Sequence, residues 1–401
     1  MNTALVIIGL SMLIFLVVFY LKRAIEKRKA RKEEEQIKAE EERITDLKYQ
    51  SEKEKIKEFA GKVMRDLSGG MAAGLAYVGA QTGLFQTLSG QGPMTMENII
   101  EKSGLQPRYV EEWLKGMVCA EYLQYDVDNE TFELPDELGF LLASEGTDHY
   151  MGGLLHSLPM MLSVAPRVSD AFINGGGVPF EDYGQDGILA IDLMNRGLYE
   201  QRFVSYWLKS MPTVYEKLTT GGRVLDFGCG TGHATLTMAG AFAKSQFIGL
   251  DIDPASIDQA SKNALDAGLT SNLNFVQGTF SDLEPGQQFD LITTCDCIHD
   301  LTDPVGVLKK LCELLSADGT LFIIEPKVAD SLTENINPIG ALYYGMSVFH
   351  CMTQSLAAGG PGLGTCLGPS GMESLVKQAG FNSFEVLELK SQMTLFYAVR
   401  H

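Results

Sequence analysis

The sequence is short of basic residues, and this shortage argues against one class of partner. Its 401 residues carry 32 lysines and arginines against 51 aspartates and glutamates, for a formal net charge of −19. Nucleic-acid binding needs a concentrated basic face that contacts phosphates. The part that we expect to fold has no such cluster, so we do not expect nucleic acid to be a main partner.

Cysteine is also sparse, and it is not arranged in pairs. The seven cysteines are odd in number and scattered, and none belongs to a CxxC motif. We therefore expect no zinc or other metal site and no disulfide framework. Several cysteines lie in apolar runs, where a thiol usually behaves as a small buried hydrophobic group. This usage is typical of a reducing compartment.

Long uncharged apolar runs are lacking except at the beginning of the chain. Residues 2–21, "NTALVIIGLSMLIFLVVFYL", contain no charged residue, and as a helix rising about 1.5 Å per residue they match a hydrocarbon core roughly 30 Å thick. A signal peptide would carry its basic residues before the apolar run, whereas here they follow it. The sequence predicts a transmembrane anchor over residues 1–21.

The basic residues after this run predict its orientation. Seven lysines and arginines face a single glutamate in residues 22–32, so the positive-inside rule places the rest of the chain in the cytosol. This cluster is also suited to contact anionic lipid headgroups. Residues 22–57 are dense in charge and contain no glycine or proline, which predicts a solvated helical stalk. We expect a single-pass membrane protein whose body faces the cytosol.

Residues 58–145 have the element order of a winged helix. Two helices joined by a short turn precede a hairpin across "DVDNE". A DNA-reading helix would present basic or amide side chains at its start, but here Arg108 is followed by Glu111 and Glu112. We expect this domain to serve homodimerisation or to cover the substrate rather than to bind DNA.

The stretch "RVLDFGCGTGHA", residues 223–234, follows a predicted helical connector over residues 146–220. "RVLDF" has the composition of a buried strand, and the residues after the glycines have helical periodicity. Glycines in a strand-to-helix turn let a ligand approach the backbone, while the amides at the start of the helix favour an anionic group. Asp226, before the glycines, favours an ammonium group. These features predict a ligand that carries both a carboxylate and an amine.

A second acid extends this prediction. Asp251 ends the strand "QFIGLD", nineteen residues after Gly232, where a carboxylate can accept hydrogen bonds from both ribose hydroxyls. An amino acid joined to a nucleoside indicates S-adenosylmethionine. A dinucleotide-binding loop would read GxGxxG instead of GxGxG, which disfavours a nicotinamide-dependent oxidoreductase.

With these motifs the sequence resembles the class I S-adenosylmethionine-dependent methyltransferases that carry an N-terminal winged-helix domain. The resemblance covers about residues 59–401 and is strongest in "VLDFGCGTGHA", "GLDIDPASIDQA" and "FDLITTCDCIHDLTDP". It implies an α/β fold, with a doubly wound, seven-stranded Rossmann-like sheet over residues 221–401. Its last two strands would be "FEVLEL" and "TLFYAV".

The resemblance also assigns roles to individual residues. It places Asp226, Gly228 and Gly230 at the methionine portion of the cofactor, Asp251 at the ribose, and Cys295 beside the pocket. The chain departs from the family at Thr279, where many members have an acid that bonds the adenine amino group. The complete predicted cofactor set is Asp226, Gly228, Cys229, Gly230, Gly232, Asp251, Ile252, Thr279, Phe280 and Cys295.

Catalysis of methyl transfer rests largely on positioning, and a base is needed only where the acceptor is protonated. His299 follows the fourth strand and is the first candidate for a general base, because histidine titrates near neutral pH. His350 is the second candidate. A structural role is the alternative for each histidine.

The expected acceptor is a small molecule. An apolar "IGALYYGM" lining and the membrane anchor suit a lipophilic acceptor, although a protein substrate at the membrane fits as well. The segment "AAGGPGLG" is interpreted as a mobile lid or a close-approach turn. The main alternative function is a non-catalytic cofactor-binding or scaffold protein, and a membrane-tethered transcription regulator is a further one.

Overall fold

The structure is a computed structural model that describes the backbone of residues 3–401 and the side chains of residues 16–401. Its contacts divide the chain into two units, Met1–Gly70 and Met71–His401, which are described separately here.

A single long helix, α1, extends over Thr3–Gln81 and crosses the predicted boundary at residues 57 and 58. Its residues 22–60 are rich in charge and exposed, with i,i+4 ion pairs such as Arg31–Glu35. The residues predicted as a stalk, 22–57, are thus helical and exposed. Gly69 and Gly70 lie inside this helix and do not end it, since each costs only about 1 kcal/mol in a helix interior.

The predicted membrane anchor falls mainly on residues about which little is described. Met1 and Asn2 lie outside the described residues, as do the side chains of residues 3–15. Among the residues that the structure does describe, no helix has the length and apolar character that crossing a membrane requires.

The winged-helix order is confirmed in the second unit. A three-stranded antiparallel sheet has the order β1-β3-β2 and lies against helices that bury Phe85 and Trp113. The indole Nε1 of Trp113 donates to the Leu75 carbonyl at 2.7 Å, which holds the end of α1 in this domain. The elements are α2 (Leu84–Leu88), β1 (Met94–Thr95), α3 (Met96–Ser103), α4 (Pro107–Cys119), β2 (Gln124–Asp126), β3 (Thr131–Glu133) and α5 (Asp136–Leu142).

The connector is helical, as predicted, and it packs onto the sheet. Phe203 and Trp207 lie in a short π-helical segment, Phe203–Trp207, and they belong to the same buried cluster as Phe322 and Phe396 of the sheet. The connector helices are α6 (Gly152–Ser163), α7 (Ala165–Asn174), α8 (Gly184–Arg202) and α9 (Pro212–Thr220), with 3₁₀ turns at Phe180–Tyr183 and Leu208–Ser210.

A seven-stranded, mostly parallel sheet forms the centre of the C-terminal part, and the predicted α/β Rossmann-like sheet is confirmed. Its strands are β4 (Arg223–Phe227), β5 (Gln246–Asp251), β6 (Leu273–Gln277), β7 (Phe289–Cys295), β8 (Leu315–Pro326), β9 (Ser383–Val386) and β10 (Thr394–Arg400). They lie in the order β6-β5-β4-β7-β8-β10-β9, and β10 pairs antiparallel with both neighbours. The helices around the sheet are α10 (His233–Ala241), α11 (Pro254–Asp266), α12 (Pro304–Leu314), α13 (Pro338–Met346), α14 (Met352–Ala357) and α15 (Gly368–Gln378).

The topology of this sheet positions a ligand site. The chain proceeds outward from β4 to β5 and β6, and then returns to place β7 on the other side of β4. In open α/β sheets ligands bind beyond the carboxyl ends of the strands where this reversal occurs. The site is therefore expected at the ends of β4, β5 and β7.

Candidate active site

The glycine loop connects β4 to α10 with three residues in the left-handed region. Gly228, Gly230 and Gly232 have φ values of 71°, 52° and 82°. A Cβ on Gly228 would lie 2.6 Å from Cys297 Sγ, and one on Gly232 would lie 2.4 Å from the Phe275 ring. At Gly230 no atom lies within 4 Å of the corresponding position. Two glycines thus allow close packing, and the middle one leaves space for a ligand beside the backbone.

Asp251 is fixed against this loop by backbone amides. Gly230 N donates to Asp251 Oδ2 at 2.8 Å, and Asp253 N donates to Oδ1 at 2.9 Å. Burial raises the pKa of Asp251. Next to it the Ile252 side chain is 71% exposed. A held carboxylate beside an exposed apolar side chain and an open glycine fits a ribose and an adenine ring, so the residues present fit S-adenosylmethionine.

Asp226 has a different environment from the one that the sequence suggested. It is buried, and its two oxygens accept from the Thr235 and Thr293 hydroxyls at 2.6 and 2.7 Å. Burial raises the pKa of its carboxyl group. These contacts make Asp226 a link between β4, α10 and β7. Its predicted contact with the ligand ammonium stays a prediction.

The remaining predicted cofactor residues surround the same loop. Cys229 N donates to the Leu250 carbonyl at 3.2 Å, which joins the loop to β5. Thr279 lies beyond the end of β6 and caps the turn Phe280–Asp282, with its hydroxyl 2.8 Å from Ser281 Oγ. The Phe280 ring stacks on Phe227 with centroids 5.0 Å apart. Cys295 ends β7, and burial raises the pKa of its thiol far above the usual range.

Asp192 of the connector also contacts the glycine loop, a contact that no local sequence pattern predicts. The Thr231 hydroxyl donates to Asp192 Oδ1 at 2.6 Å, and His233 Nε2 lies 3.2 Å from the same oxygen. Arg196 pairs with Oδ2. Although burial opposes ionisation, hydrogen bonds from His233, Thr231 and Arg196 lower the pKa of Asp192 to about 2. Helix α8 therefore holds the loop through an ionised carboxylate.

His299 lies on the β7 side of the point where the strand order reverses, between β4 and β7. It belongs to the 3₁₀ turn Ile298–Asp300 after β7. It is 2% exposed, and its Nδ1 hydrogen bonds to Glu325 Oε2 at the end of β8. Glu325 Oε1 also accepts from Ile298 N at 3.0 Å. Burial alone would lower the pKa of His299, but the carboxylates of Glu325 and Asp300 raise it well above its ordinary value. The pair has the geometry of a histidine base oriented by a carboxylate.

Asp296 stands between Cys295 and this turn in a strained conformation. Its φ is 48°, in the left-handed region that non-glycine residues rarely adopt. Burial, followed by the charge of Glu325, raises its pKa to about 7. Strain of this kind persists where the surrounding structure imposes it, often at functional sites. Asp296 therefore joins His299 among the titratable groups of the site.

His350, the second predicted base, is close to this region but is enclosed by aromatic side chains. It lies in a π-helical segment, Ser347–Cys351, with its ring 4.8 Å from the Tyr183 ring. Burial lowers its pKa. The Tyr183 hydroxyl donates to the Phe349 carbonyl at 2.6 Å. These contacts favour the structural alternative for His350.

The segment "AAGGPGLG" packs directly on the His299 turn. Gly364 N donates to the His299 carbonyl at 3.2 Å, and a Cβ on Gly360 would lie 2.7 Å from Thr302 Cα. Gly364 has a φ of 70°. The two interpretations of the segment are a mobile lid and a close-approach turn, and the described contacts support the close-approach turn.

Two sequence families match this chain in the regions just described. Residues 218–357 match the family described as "Methyltransferase domain". Residues 70–144 match the "Rv2258c-like winged HTH domain". The predicted pairing of a methyltransferase domain with a winged helix is confirmed.

Curated relatives match a part of the chain. A ubiquinone biosynthesis O-methyltransferase of Actinobacillus pleuropneumoniae is 34% identical over 108 residues, which is 25% of this chain and 44% of that protein. A ubiquinone/menaquinone biosynthesis C-methyltransferase of Vibrio vulnificus is 31% identical over 107 residues, 26% of this chain and 41% of that protein. The chain thus spans less than half the length of these relatives.

Solved structures share the fold over most of the chain. A putative O-methyltransferase from Nostoc punctiforme has a TM-score of 0.66 and 17% identity, covering 85% of this chain and 98% of its own. Human N-acetylserotonin methyltransferase, solved in complex with S-adenosylmethionine, has a TM-score of 0.62 and 16% identity, covering 85% and 97%. At these identities the likeness establishes the fold.

Proposed function

We propose that this chain, a class I S-adenosylmethionine-dependent methyltransferase with an N-terminal winged-helix domain, transfers a methyl group to a hydroxyl of a small-molecule acceptor. The observation that carries the proposal is the buried His299–Glu325 pair, which lies across the reversal point of the sheet from the glycine loop and Asp251. Both halves of the proposed site thus follow the carboxyl ends of strands on either side of the point where the strand order reverses.

The cofactor half would be held by residues already in place. Gly230 leaves backbone accessible to the amino-acid portion, Gly228 and Gly232 let the loop pack closely around it, and Asp251 would accept hydrogen bonds from the ribose. Ile252 and Phe280 offer apolar surface to the adenine, which suits a chain with Thr279 where an acid is common. When bound, S-adenosylmethionine supplies an electrophilic methyl group on a sulfonium.

His299 acts on the acceptor in this mechanism. Its Nδ1 is engaged by Glu325, so Nε2 is the nitrogen that accepts the proton of the acceptor hydroxyl. The imidazolium that forms is stabilised by the Glu325 carboxylate. Removal of the hydroxyl proton raises the nucleophilicity of the acceptor oxygen, and positioning of that oxygen in line with the methyl group provides the rest of the acceleration.

The proposal extends to membrane tethering, a cytosolic body and a lipophilic acceptor. Residues 2–21 contain no charged residue, and a basic cluster follows them, as the positive-inside rule requires for a body in the cytosol. Tethering would be tested by comparing the full chain with a chain that begins at residue 22 in membrane flotation. Recovery of both chains in the same fraction would contradict it.

Dimerisation is the proposed role of the winged-helix domain. In α4 the basic residues are already paired with acids on the same helix, Arg108 with Glu112 and Lys115 with Glu111, which leaves the helix poorly suited to phosphate contacts. Sedimentation of the full chain should report a dimer, while a salt-dependent shift of duplex DNA would favour the regulator alternative.

The central experiment follows transfer of a labelled methyl group from S-adenosylmethionine to a panel of small hydroxylated acceptors. Wild type is compared with His299→Ala and with a matched control, His149→Ala, whose ring stacks on Phe140 in the winged-helix part. We expect wild type and the control to transfer the label, and His299→Ala to lose it. Cofactor binding without transfer to any acceptor would favour the non-catalytic alternative.

A further inference from the structure

Three metal-binding atom types meet at His299, the proposed base. The ring of His299, the carboxylate of Asp300 and the thiol of Cys351 each offer one ligand atom, and these atoms all lie within 4.8 Å of one another. Nitrogen, carboxylate oxygen and thiolate sulfur are the ligands that Zn²⁺ takes, at roughly 2.0–2.3 Å. Tetrahedral coordination at those lengths separates ligand atoms by about 3.3–3.8 Å, so modest side-chain movements would close the site.

A second observation points to a ligand here. Asp300 Oδ1 is buried and has no hydrogen-bond partner, although it lies 3.4 Å from His299 Nε2. A buried carboxylate oxygen without a hydrogen bond, held only by an ion pair at 3.4 Å, is poorly compensated for the water that it has lost. A cation at the centre of the three groups would satisfy it.

The neighbouring residues complete the environment. His350 is 5% exposed, its Nε2 has no partner, and its Nδ1 lies 3.7 Å from Cys351 Sγ. With the His350 ring rotated toward Cys351, one of its nitrogens would be the fourth ligand of a tetrahedral site. Cys351 is 7% exposed, so such an ion would be shielded from solvent.

We infer that His299, Asp300 and Cys351 form a binding site for Zn²⁺ or a divalent cation with the same ligand preference, and that an ion bound there inhibits methyl transfer. On binding, the Cys351 thiol loses its proton to solvent and the thiolate sulfur coordinates the ion, with no change of oxidation state. His299 Nε2 becomes a ligand and can no longer accept the acceptor's proton. The inhibitory part rests on the proposed function, whereas the binding part does not.

The binding test uses Co²⁺ as a spectroscopic probe on the purified full chain. Co²⁺ bound to a thiolate shows a charge-transfer absorption that Zn²⁺ abolishes by displacement. We expect one equivalent to produce this band in wild type and in the control Cys366→Ser, and no band in Cys351→Ser. Asp300→Asn, which preserves shape, should weaken binding at least about tenfold. Thermal melting of each variant reports whether it folds.

The inhibition test titrates Zn²⁺ into the methyl-transfer assay. Wild type should lose activity and recover it with a chelator, and Cys351→Ser should require at least about tenfold more Zn²⁺ for the same loss. A cobalt band without any methyl transfer would count against the proposed function and support the metal site. Absence of the band in folded wild type, or an identical band in Cys351→Ser, would overturn the inference.

Discussion

The proposed cofactor side and the proposed acceptor side of the site are built in different ways. On the cofactor side, the glycine loop and Asp251 lie within 26 residues of sequence, and their roles depend on backbone conformation and one strand end. On the proposed acceptor side, His299, Glu325 and Cys351 come from the turn after β7, the end of β8 and the π-helical segment after α13.

This difference explains why one side can be recognised from a short motif and the other cannot. A loop that must present backbone to a ligand constrains residue types at fixed spacing. A histidine base needs only a carboxylate within reach, and any strand end that reaches the same crevice can supply it. We therefore expect variants of one side to leave the function of the other side intact.

The largest expected effect separates catalysis from cofactor binding. His299→Ala should lower kcat by about 10²–10⁴-fold, the usual contribution of a general base. The affinity for S-adenosylmethionine measured by calorimetry should stay close to that of wild type. His350→Ala, the competing candidate, should retain far more activity, and the reverse order of the two variants would show that the base has been misassigned.

The reciprocal variant should act on the cofactor side alone. Asp251→Ala removes the carboxylate that holds Gly230 N and is placed for the ribose, so binding of S-adenosylmethionine should weaken about ten- to a hundredfold, as for lost hydrogen bonds to a charged group. Asp258→Ala, on the exposed face of α11, serves as the control in the same calorimetry. Equal affinities for the two variants would contradict the proposed ribose contact.

The pH dependence of methyl transfer tests the proposed role of His299 as the base. His299 must be neutral to accept a proton, and its pKa is raised by Glu325 and Asp300, so activity should rise with pH through a value above the ordinary range of histidine. Glu325→Gln should lower the pKa of His299, so the rise in activity should move to lower pH. The maximal activity at high pH should fall, because the carboxylate that orients His299 is lost.

Asp296 provides the control for this measurement, because its pKa of about 7 is also raised by burial and by Glu325. If His299 governs the profile, Asp296→Asn should leave the position of the rise nearly unchanged. A rise that disappears in Asp296→Asn would assign the titration to that residue instead.

The smallest effect is expected at the contact between α8 and the glycine loop. Asp192→Asn removes the charge that orients Thr231 and His233, and cofactor affinity should fall by about three- to tenfold, as for one hydrogen bond. Asp186→Asn, exposed at the start of the same helix, is the matched variant for calorimetry. A loss in kcat without a loss in affinity would place Asp192 on the acceptor side.

Much of the architecture could be predicted from local patterns. The strand before Gly228, the strand that ends at Asp251, the hairpin near residue 128 and the helical stalk all follow from periodicity and composition, and the structure has them. Local patterns did not place the end of α1 at Gln81, because the helix continues through the exposed Gly69 and Gly70, each of which costs only about 1 kcal/mol in a helix interior.

The sequence by itself determined the kind of ligand, since bare backbone followed by a spaced carboxylate is a local chemical requirement. Only the tertiary structure decided the partners of the individual side chains. It buried Asp226 against two threonine hydroxyls, placed Asp192 on the glycine loop, and brought Glu325 and Cys351 to His299. These contacts join residues far apart in sequence, and their formation depends on sheet order and helix packing rather than on local residue spacing.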